Sequence, residues 1–268
     1  MPALGNRKIW FYRNFLLAPE RTDDTFIHMF NHTRHAMQVL LDREGTEKAP
    51  AGICVVIQDP TIARRFPQAF WQATGLVYAG RTRQGWQMRV AWLDEPGGWA
   101  NVIRELEAGF SIEPVWGSVN EALAEEVIAF WLDESAIPGN VARQRVSEVV
   151  QISRDSENRI AGVCTLEFKR NQRLGLPLWY VRAFVSKKYR RSSVGFCLLH
   201  STVDYMQARY DRGEDRQARG IFMEVENKTL QETAHQGLWA YGRFAYIGDN
   251  SRGEHMRVQY FQGAELDG

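Results

Sequence analysis

Over the last ninety or so residues the apolar positions fall into short blocks whose period changes from block to block. Leu178 to Val185 has the Trp, Tyr, Val and Phe content of a strand, and a basic turn, Lys187-Lys188-Tyr189-Arg190-Arg191-Ser192-Ser193, follows it. Helical spacing then runs from Val194 to Tyr210. The polar segment Asp211 to Arg219 leads to a strand from Ile221 to Glu226, and a helix is predicted from Thr229 to Tyr241. Strands Phe244–Gly248 and Met256–Phe261 flank Asp249-Asn250-Ser251-Arg252-Gly253, a composition suited to a hairpin turn. Upstream, a strand is expected over Phe110–Val115. Ser118-Val119-Asn120-Glu121 fits a capping box opening a helix from Val119 to Glu134, and Pro138 interrupts it ahead of a shorter helix near Val141. Val149–Ser153 and Arg159–Phe168 form a predicted hairpin across Arg154-Asp155-Ser156-Glu157-Asn158.

The pattern is a repeat. Ile9 to Leu93 can be laid over Leu178 to Phe261 with a single one-residue gap, so that Trp10, Arg13, Phe15 and Arg21 meet Trp179, Arg182, Phe184 and Arg190. Beyond the gap His32, Gly52, Thr61, Trp71, Tyr78, Gly80 and Met88-Arg89-Val90 meet His200, Gly220, Thr229, Trp239, Tyr246, Gly248 and Met256-Arg257-Val258. A unit this long exceeds the roughly 20–50 residues of a solenoid repeat and indicates a duplicated domain or half-domain. Three segments are expected: residues 1–95 as a degenerate partial copy, 96–109 as a linker with a helix over Val102–Ala108, and 110–268 as a complete domain. The fold class is α/β, with a mixed central sheet flanked by helices.

Composition narrows the function classes. With 33 basic and 32 acidic residues the net charge is +1, so no overall field draws the chain to nucleic acid or an anionic membrane. No apolar run reaches the roughly 20 residues of a membrane span, and the start lacks a signal pattern, so a cytoplasmic location is expected. Cys54, Cys164 and Cys197 lie in apolar runs without a Cys-x-x-Cys pair, which argues against a disulfide framework or a zinc site. His28, His32 and His35 share a helical face, but no carboxylate or Cys completes a ligand set, and no metal is predicted.

The order of elements in residues 110–262 resembles the Gcn5-related N-acetyltransferase superfamily, and one loop carries the resemblance. The family signature is a strand followed by Arg or Gln, two residues, Gly, one residue, and Gly or Ala at a helix start. Val185 to Gly195 matches it through Arg190 and Gly195, with Ser193 at the first Gly position. The resemblance implies an acyl-CoA N-acyltransferase fold with acetyl-CoA as acyl donor and an amine-bearing acceptor. Phe184, Val185, Arg190, Arg191, Ser192, Ser193, Val194 and Gly195 would hold the donor. Backbone N–H groups at the start of the helix form a natural cradle for pyrophosphate. The family's Tyr, thought to protonate the leaving thiolate, is replaced by Trp239, which makes Tyr241 the candidate acid.

The two copies also control for each other. Asp59 and Asn227 pair as N-caps, and His200, paired with His32, reads as a fold residue rather than a base. Opposite Arg191-Ser192-Ser193 the first copy has Thr22-Asp23-Asp24, where acids would repel a phosphate, so Asp23 or Asp24 is expected to cap a helix. Val56 and Gln58 stand opposite Glu224 and Glu226, which share one strand face and are the candidate general bases. A different class of function, a CoA- or partner-binding module without turnover, fits the replaced Tyr and missing Gly. A third reading, acylation of an amine on a nucleic-acid base, draws on nine Trp and the runs Lys169-Arg170 and Lys187-Lys188. The partial copy is expected to dock as an internal pseudo-dimer, with one working site between Val185 and Glu226. Acceptor identity and oligomeric state are not legible in the sequence.

Overall fold

The structure is a computed structural model describing Leu4 and residues 7–14, 22–45, 48–93, 105–239 and 244–266. The chain divides into two compact units, one of Met1–Asn101, Arg170–Leu176 and Glu224–Gly268, the other of Val102–Lys169 and Pro177–Met223. This division cuts across the sequence repeat, because the last strands of the second copy belong to the same unit as the first copy.

In the first unit the first copy supplies β1 (Ile9–Tyr12), α1 (Asp23–Glu44), β2 (Gly52–Ile57), α2 (Pro60–Arg65), β3 (Phe70–Trp71), β4 (Leu76–Arg81) and β5 (Gln87–Trp92). The five strands form a mixed sheet in the order β1-β2-β5-β4-β3, with β1 parallel to β2 and the other pairs antiparallel. Phe30 and Leu41 of α1 pack with Ile53, Val55, Trp71 and Leu76 to form the core of this copy.

The second unit contains β6 (Ser111–Pro114), α3 (Glu121–Asp133), α4 (Gly139–Arg145), β7 (Val149–Arg154), β8 (Ile160–Asn171), β9 (Leu176–Val185), α5 (Val194–Asp211) and the start of β10 (Gly220–Val225). Its strands run β10-β9-β8-β7-β6, with β9 and β10 parallel. Val194, Leu198, Thr202, Met206 and Tyr210 are the buried stripe of α5, spaced four apart, and this spacing makes the segment a helix against the sheet. Val127, Ile128 and Trp131 of α3 meet Val149, Ile152 and Val163 in a second core.

The remaining elements, α6 (Lys228–Thr233), β11 (Leu238–Trp239), β12 (Phe244–Asp249) and β13 (His255–Tyr260), lie in the first unit and repeat α2, β3, β4 and β5. The repeat extends to backbone detail. Both β4–β5 and β12–β13 carry a register shift, between Tyr78 and Gly80 and between Tyr246 and Gly248. The glycines adopt φ of 117° and 119°, a region open to Gly at little cost.

Several expectations need correction. Asn120, not Ser118, caps α3 by accepting the Leu123 N–H at 2.9 Å, so the helix starts two residues late. Thr22, not Asp23 or Asp24, caps α1 through the Thr25 N–H at 3.1 Å, and the two acids follow in the first turn. Asp59 and Asn227 do cap their helices. Glu105 to Ala108 is not helical, and the rest of the expected linker helix lies outside the described residues.

The helix expected over Thr229–Tyr241 ends at Thr233. Trp239 Nε1 donates to Ala234 O at 2.8 Å, and Arg257 Nη2 donates to Ala234 O at 3.0 Å and Gln236 O at 2.7 Å. These side chains take the carbonyls that a longer helix would use, and the chain turns into β11 instead. Tertiary partners therefore override the local helical pattern.

Strands of the two copies meet inside the first unit through paired contacts. Trp92 Nε1 donates to Tyr246 O at 3.1 Å, and the Tyr260 hydroxyl donates to Tyr78 O at 2.9 Å. In the repeat Trp92 corresponds to Tyr260 and Tyr246 to Tyr78, so the two bonds are copies of one contact. A Cβ built at Gly237 would lie 2.1 Å from the Trp92 ring. Gly237→Ala should therefore lower the urea unfolding free energy by about 1–3 kcal/mol through overpacking, and should shift the unfolding midpoint measured by Trp fluorescence.

Candidate functional site

In the second unit β9 lies between β8 and β10. Its register with β10 pairs Trp179 with Ile221 and Tyr180 with Phe222, and β9 then runs on to Val185. The far end of β9 stays joined to β8, because Ser186 N donates to Ala161 O at 2.9 Å. The described pairing with β10 thus stops five residues before β9 ends. Directly after β9 come the basic turn and the N-terminus of α5, where the first backbone N–H groups of the helix lack intrahelical acceptors.

The sequence-predicted cradle residues are together here. Lys187–Tyr189 forms a short 3-10 turn capped by Ser186, and Ser192 Oγ accepts the Val194 N–H at 3.2 Å. Lys187, Lys188, Arg190 and Arg191 are exposed. Arg190 folds back over the loop, with its guanidinium 5.6 Å from the Phe184 ring centroid and Nε 3.4 Å from Val185 O. A Cβ at Gly195 would lie 3.2 Å from Val185 Cγ2, so this position is tight for any larger residue.

Three carboxylates answer this basic loop, and the sequence reading found none of them. Glu134 accepts the Ser186 hydroxyl and, at 3.1 Å, the Lys187 N–H. The Ser186 hydroxyl above all holds the Glu134 carboxyl below the usual range. Asp155 accepts the Tyr189 hydroxyl at 2.8 Å. Burial opposes ionisation of its carboxyl, but the bonds from Tyr189 and Arg159 outweigh burial and hold it well below the usual range. Glu107 sits at the cradle itself: its Oε1 accepts the Ser193 N–H at 2.8 Å, while its own N–H donates to Ser193 Oγ at 3.0 Å. This pair satisfies the helix start much as a capping box does, although its members are 86 residues apart in the chain.

The candidate bases lie in the first unit. Glu224 Oε1 accepts from Asn250 at 3.0 Å and its Oε2 lies 3.4 Å from Arg252 Nη2, at the tip of the β12–β13 hairpin. Glu226 is exposed just beyond β10. Tyr241 lies outside the described residues. His200 is buried on α5 with Phe196 4.4 Å away, and burial pushes its imidazole down to about 3, too weak a base for proton abstraction at neutral pH. Among the described residues no cluster of His, Cys, Asp and Glu could hold a metal ion, and no helix is long and apolar enough to cross a membrane.

No family model and no curated protein matches the sequence. Solved structures do. An acetyltransferase of the GNAT family from Streptococcus pneumoniae is similar over 57% of this chain and 99% of its own, at 14% identity and a TM-score of 0.41. A ribosomal-protein-S5-alanine acetyltransferase from Vibrio fischeri matches 62% of this chain and 100% of its own, at 12% identity and a TM-score of 0.41. The AtaTR complex bound with AcCoA matches 57% of this chain and 94% of its own, at 14% identity and a TM-score of 0.39.

His200 gives the site a pH signature. Its folded value is about 3 against 6.5 for the free side chain, so the unfolded state binds more protons between those values. The stability linked to this neutral imidazole is complete above about 6.5 and is lost as the pH falls toward 3. His200→Gln should flatten the pH dependence of the urea midpoint in that window, and an unchanged slope would show that another group sets it.

Proposed function

We propose that the domain of residues 110–268 is an acyl-CoA-dependent N-acyltransferase that moves an acyl group, most simply acetyl, from acyl-CoA to a primary amine. The observation that supports this reading is the early end of β9–β10 pairing, followed at once by a basic turn and the N-terminus of α5. The helix N-terminus and four exposed cations would attract the pyrophosphate of the acyl donor. Arg190 and Arg191 supply charge, Ser192 and Ser193 supply hydroxyl and N–H donors, and Val194 and Gly195 present the first turn of the helix. N–H groups near Phe184 and Val185 would polarise the thioester carbonyl.

The amine, freed of its proton, attacks the thioester carbonyl carbon. The C–S bond breaks as the tetrahedral adduct collapses, and the thiolate takes a proton. In this proposal Glu224 or Glu226 accepts the ammonium proton and Tyr241 protonates the thiolate. Glu224→Gln and Glu226→Gln separate the two bases, since only loss of the true base lowers kcat with KM for acetyl-CoA unchanged.

A second reading, a CoA- or partner-binding module without turnover, is favoured by two contacts. Glu107 already holds the Ser193 N–H, and Glu224 is engaged by Asn250 and Arg252. Release of free thiol from acetyl-CoA with a panel of polyamines, peptides and amino-nucleosides distinguishes the readings: turnover supports the enzyme, and binding without turnover supports the module.

Calorimetry with acetyl-CoA on the purified chain tests the cradle. Arg190→Glu should weaken binding by about tenfold or more, a loss of about 1.4 kcal/mol or greater. Glu107→Gln, which removes a competing negative charge but keeps an oxygen for the Ser193 N–H, should tighten binding by a few-fold. Absence of acetyl-CoA binding in both the native chain and Glu107→Gln would overturn the proposal.

A further inference from the structure

The first copy contains a cavity of about 500 Å³, within the usual range for a small-molecule site. It lies where β1 and β2 cease to pair. Their register ends at Tyr12 opposite Val55, β2 continues to Ile57, and the β4–β5 turn closes the remaining side. Arg13, Asn14, Gln58, Arg83 and Trp86 contribute polar and aromatic lining, and no carboxylate is among the described residues that line it.

Comparison with the second copy shows how its charge changed. Val56, Gln58 and Trp86 occupy the repeat positions of Glu224, Glu226 and Glu254. In the second copy Glu224 and Glu254 are bound up with Asn250 and Arg252. Three acids have thus become one apolar, one amide and one indole side chain. Arg13 also differs from its counterpart in its counterion. Arg182, the repeat partner of Arg13, pairs with Glu167 of β8 at 2.9 Å, and among the described residues no strand of the first copy corresponds to β8. Arg13 and Arg83 are exposed and form no ion pair among the described residues. The buried Asn14 Nδ2 makes no hydrogen bond of normal geometry there, with the Tyr12 hydroxyl as its neighbour. Phe11 and Trp86 keep 49% and 37% of their surface exposed beside these cations, a combination of rings and guanidinium groups at one opening.

From this we infer that the first copy is a binding site for a small aromatic carboxylate. Arg13 and Arg83 would pair with the acid group, the Gln58 and Asn14 amides would orient it, and Trp86 and Phe11 would take the ring face. The site is independent of the acyl-CoA cradle and does not rest on the reaction proposed above.

Calorimetry on the full chain with indole-3-acetate, and with tryptamine as the same ring bearing a cation, tests the charge preference. Indole-3-acetate should bind saturably and at least about tenfold more tightly than tryptamine, and Arg13→Gln/Arg83→Gln should remove that preference. Both arginines are exposed, so the double variant should keep its fold, and unchanged acetyl-CoA binding by that variant would confirm an independent site. Trp86→Ala should weaken indole-3-acetate without changing the sign preference. The inference is overturned if indole-3-acetate fails to saturate at millimolar concentration. Equal binding of tryptamine, or an arginine variant that binds as the native chain does, would overturn it too. Phenyl phosphate binding more tightly than indole-3-acetate would also overturn it, since the site would then be a phosphate site.

Discussion

Two buried guanidinium groups govern how each copy closes. Arg89 and Arg257 have no exposed surface, and a cation in that position is costly unless oxygen or π partners replace water. Each guanidinium carbon lies 4.1 Å from an indole centroid, Trp71 in one copy and Trp239 in the other. Each also donates to carbonyls where a short helix ends: Phe66 O for Arg89, and Ala234 O with Gln236 O for Arg257. Burial lowers the Arg89 guanidinium to about 9, so it remains a cation at neutral pH and its partners remain necessary. The short helices stop where the arginines need their carbonyls, and Trp71 and Trp239, the second residues of β3 and β11, cover the same cations. Since both copies preserve the device, it belongs to the shared fold and not to a site in one of them.

With those strand ends fixed, the copies can meet in a self-complementary way. An isologous contact requires that if one position touches another, the exchanged pair touches too. Trp92 with Tyr246 and Tyr260 with Tyr78 satisfy that condition within one chain. The symmetry is not perfect. Trp92 is larger than Tyr260, and its ring fills the space where a side chain at position 237 would lie, so that position is Gly while its repeat counterpart is Ala69. A single chain can adjust each side of a pseudo-two-fold contact separately, which two identical subunits cannot do.

The repeat, the strands and the long helices were legible because they depend on local pattern. The four-residue stripe of α5 and the Trp-Tyr-Val-Phe run of β9 both predict their elements within two residues of the observed ends. The end of α6 was not legible, since Arg257 lies 23 residues from the carbonyl that it takes. The compact units were hidden for a similar reason: the sequence repeat puts β11–β13 with β10, whereas packing puts them with the first copy. At the candidate site the basic loop could be read from its spacing. Its three acids could not, because Glu107, Glu134 and Asp155 reach it from 86, 52 and 34 residues away.

Those acids differ in what they oppose. Glu134 and Asp155 bind Ser186 and Tyr189, at the entry of the turn, and their bonds fix its shape without covering the start of α5. Glu107 alone takes a backbone N–H at that helix start, the kind of donor a phosphate would need. Two of the carboxylates therefore preorganise the loop, and the third competes for its central donor. The competition is uneven. A pyrophosphate carries more charge than one carboxylate and, in the proposed cradle, would engage several N–H groups together with Arg190 and Arg191, whereas Glu107 has a single bond to Ser193 N and one in return. In the proposed cradle these bonds hold the loop without a ligand, and a stronger anion would displace Glu107 at little cost. The cations of the turn face solvent, and the N–H groups of Lys187, Lys188, Tyr189, Ser192, Ser193 and Val194 each have an oxygen acceptor.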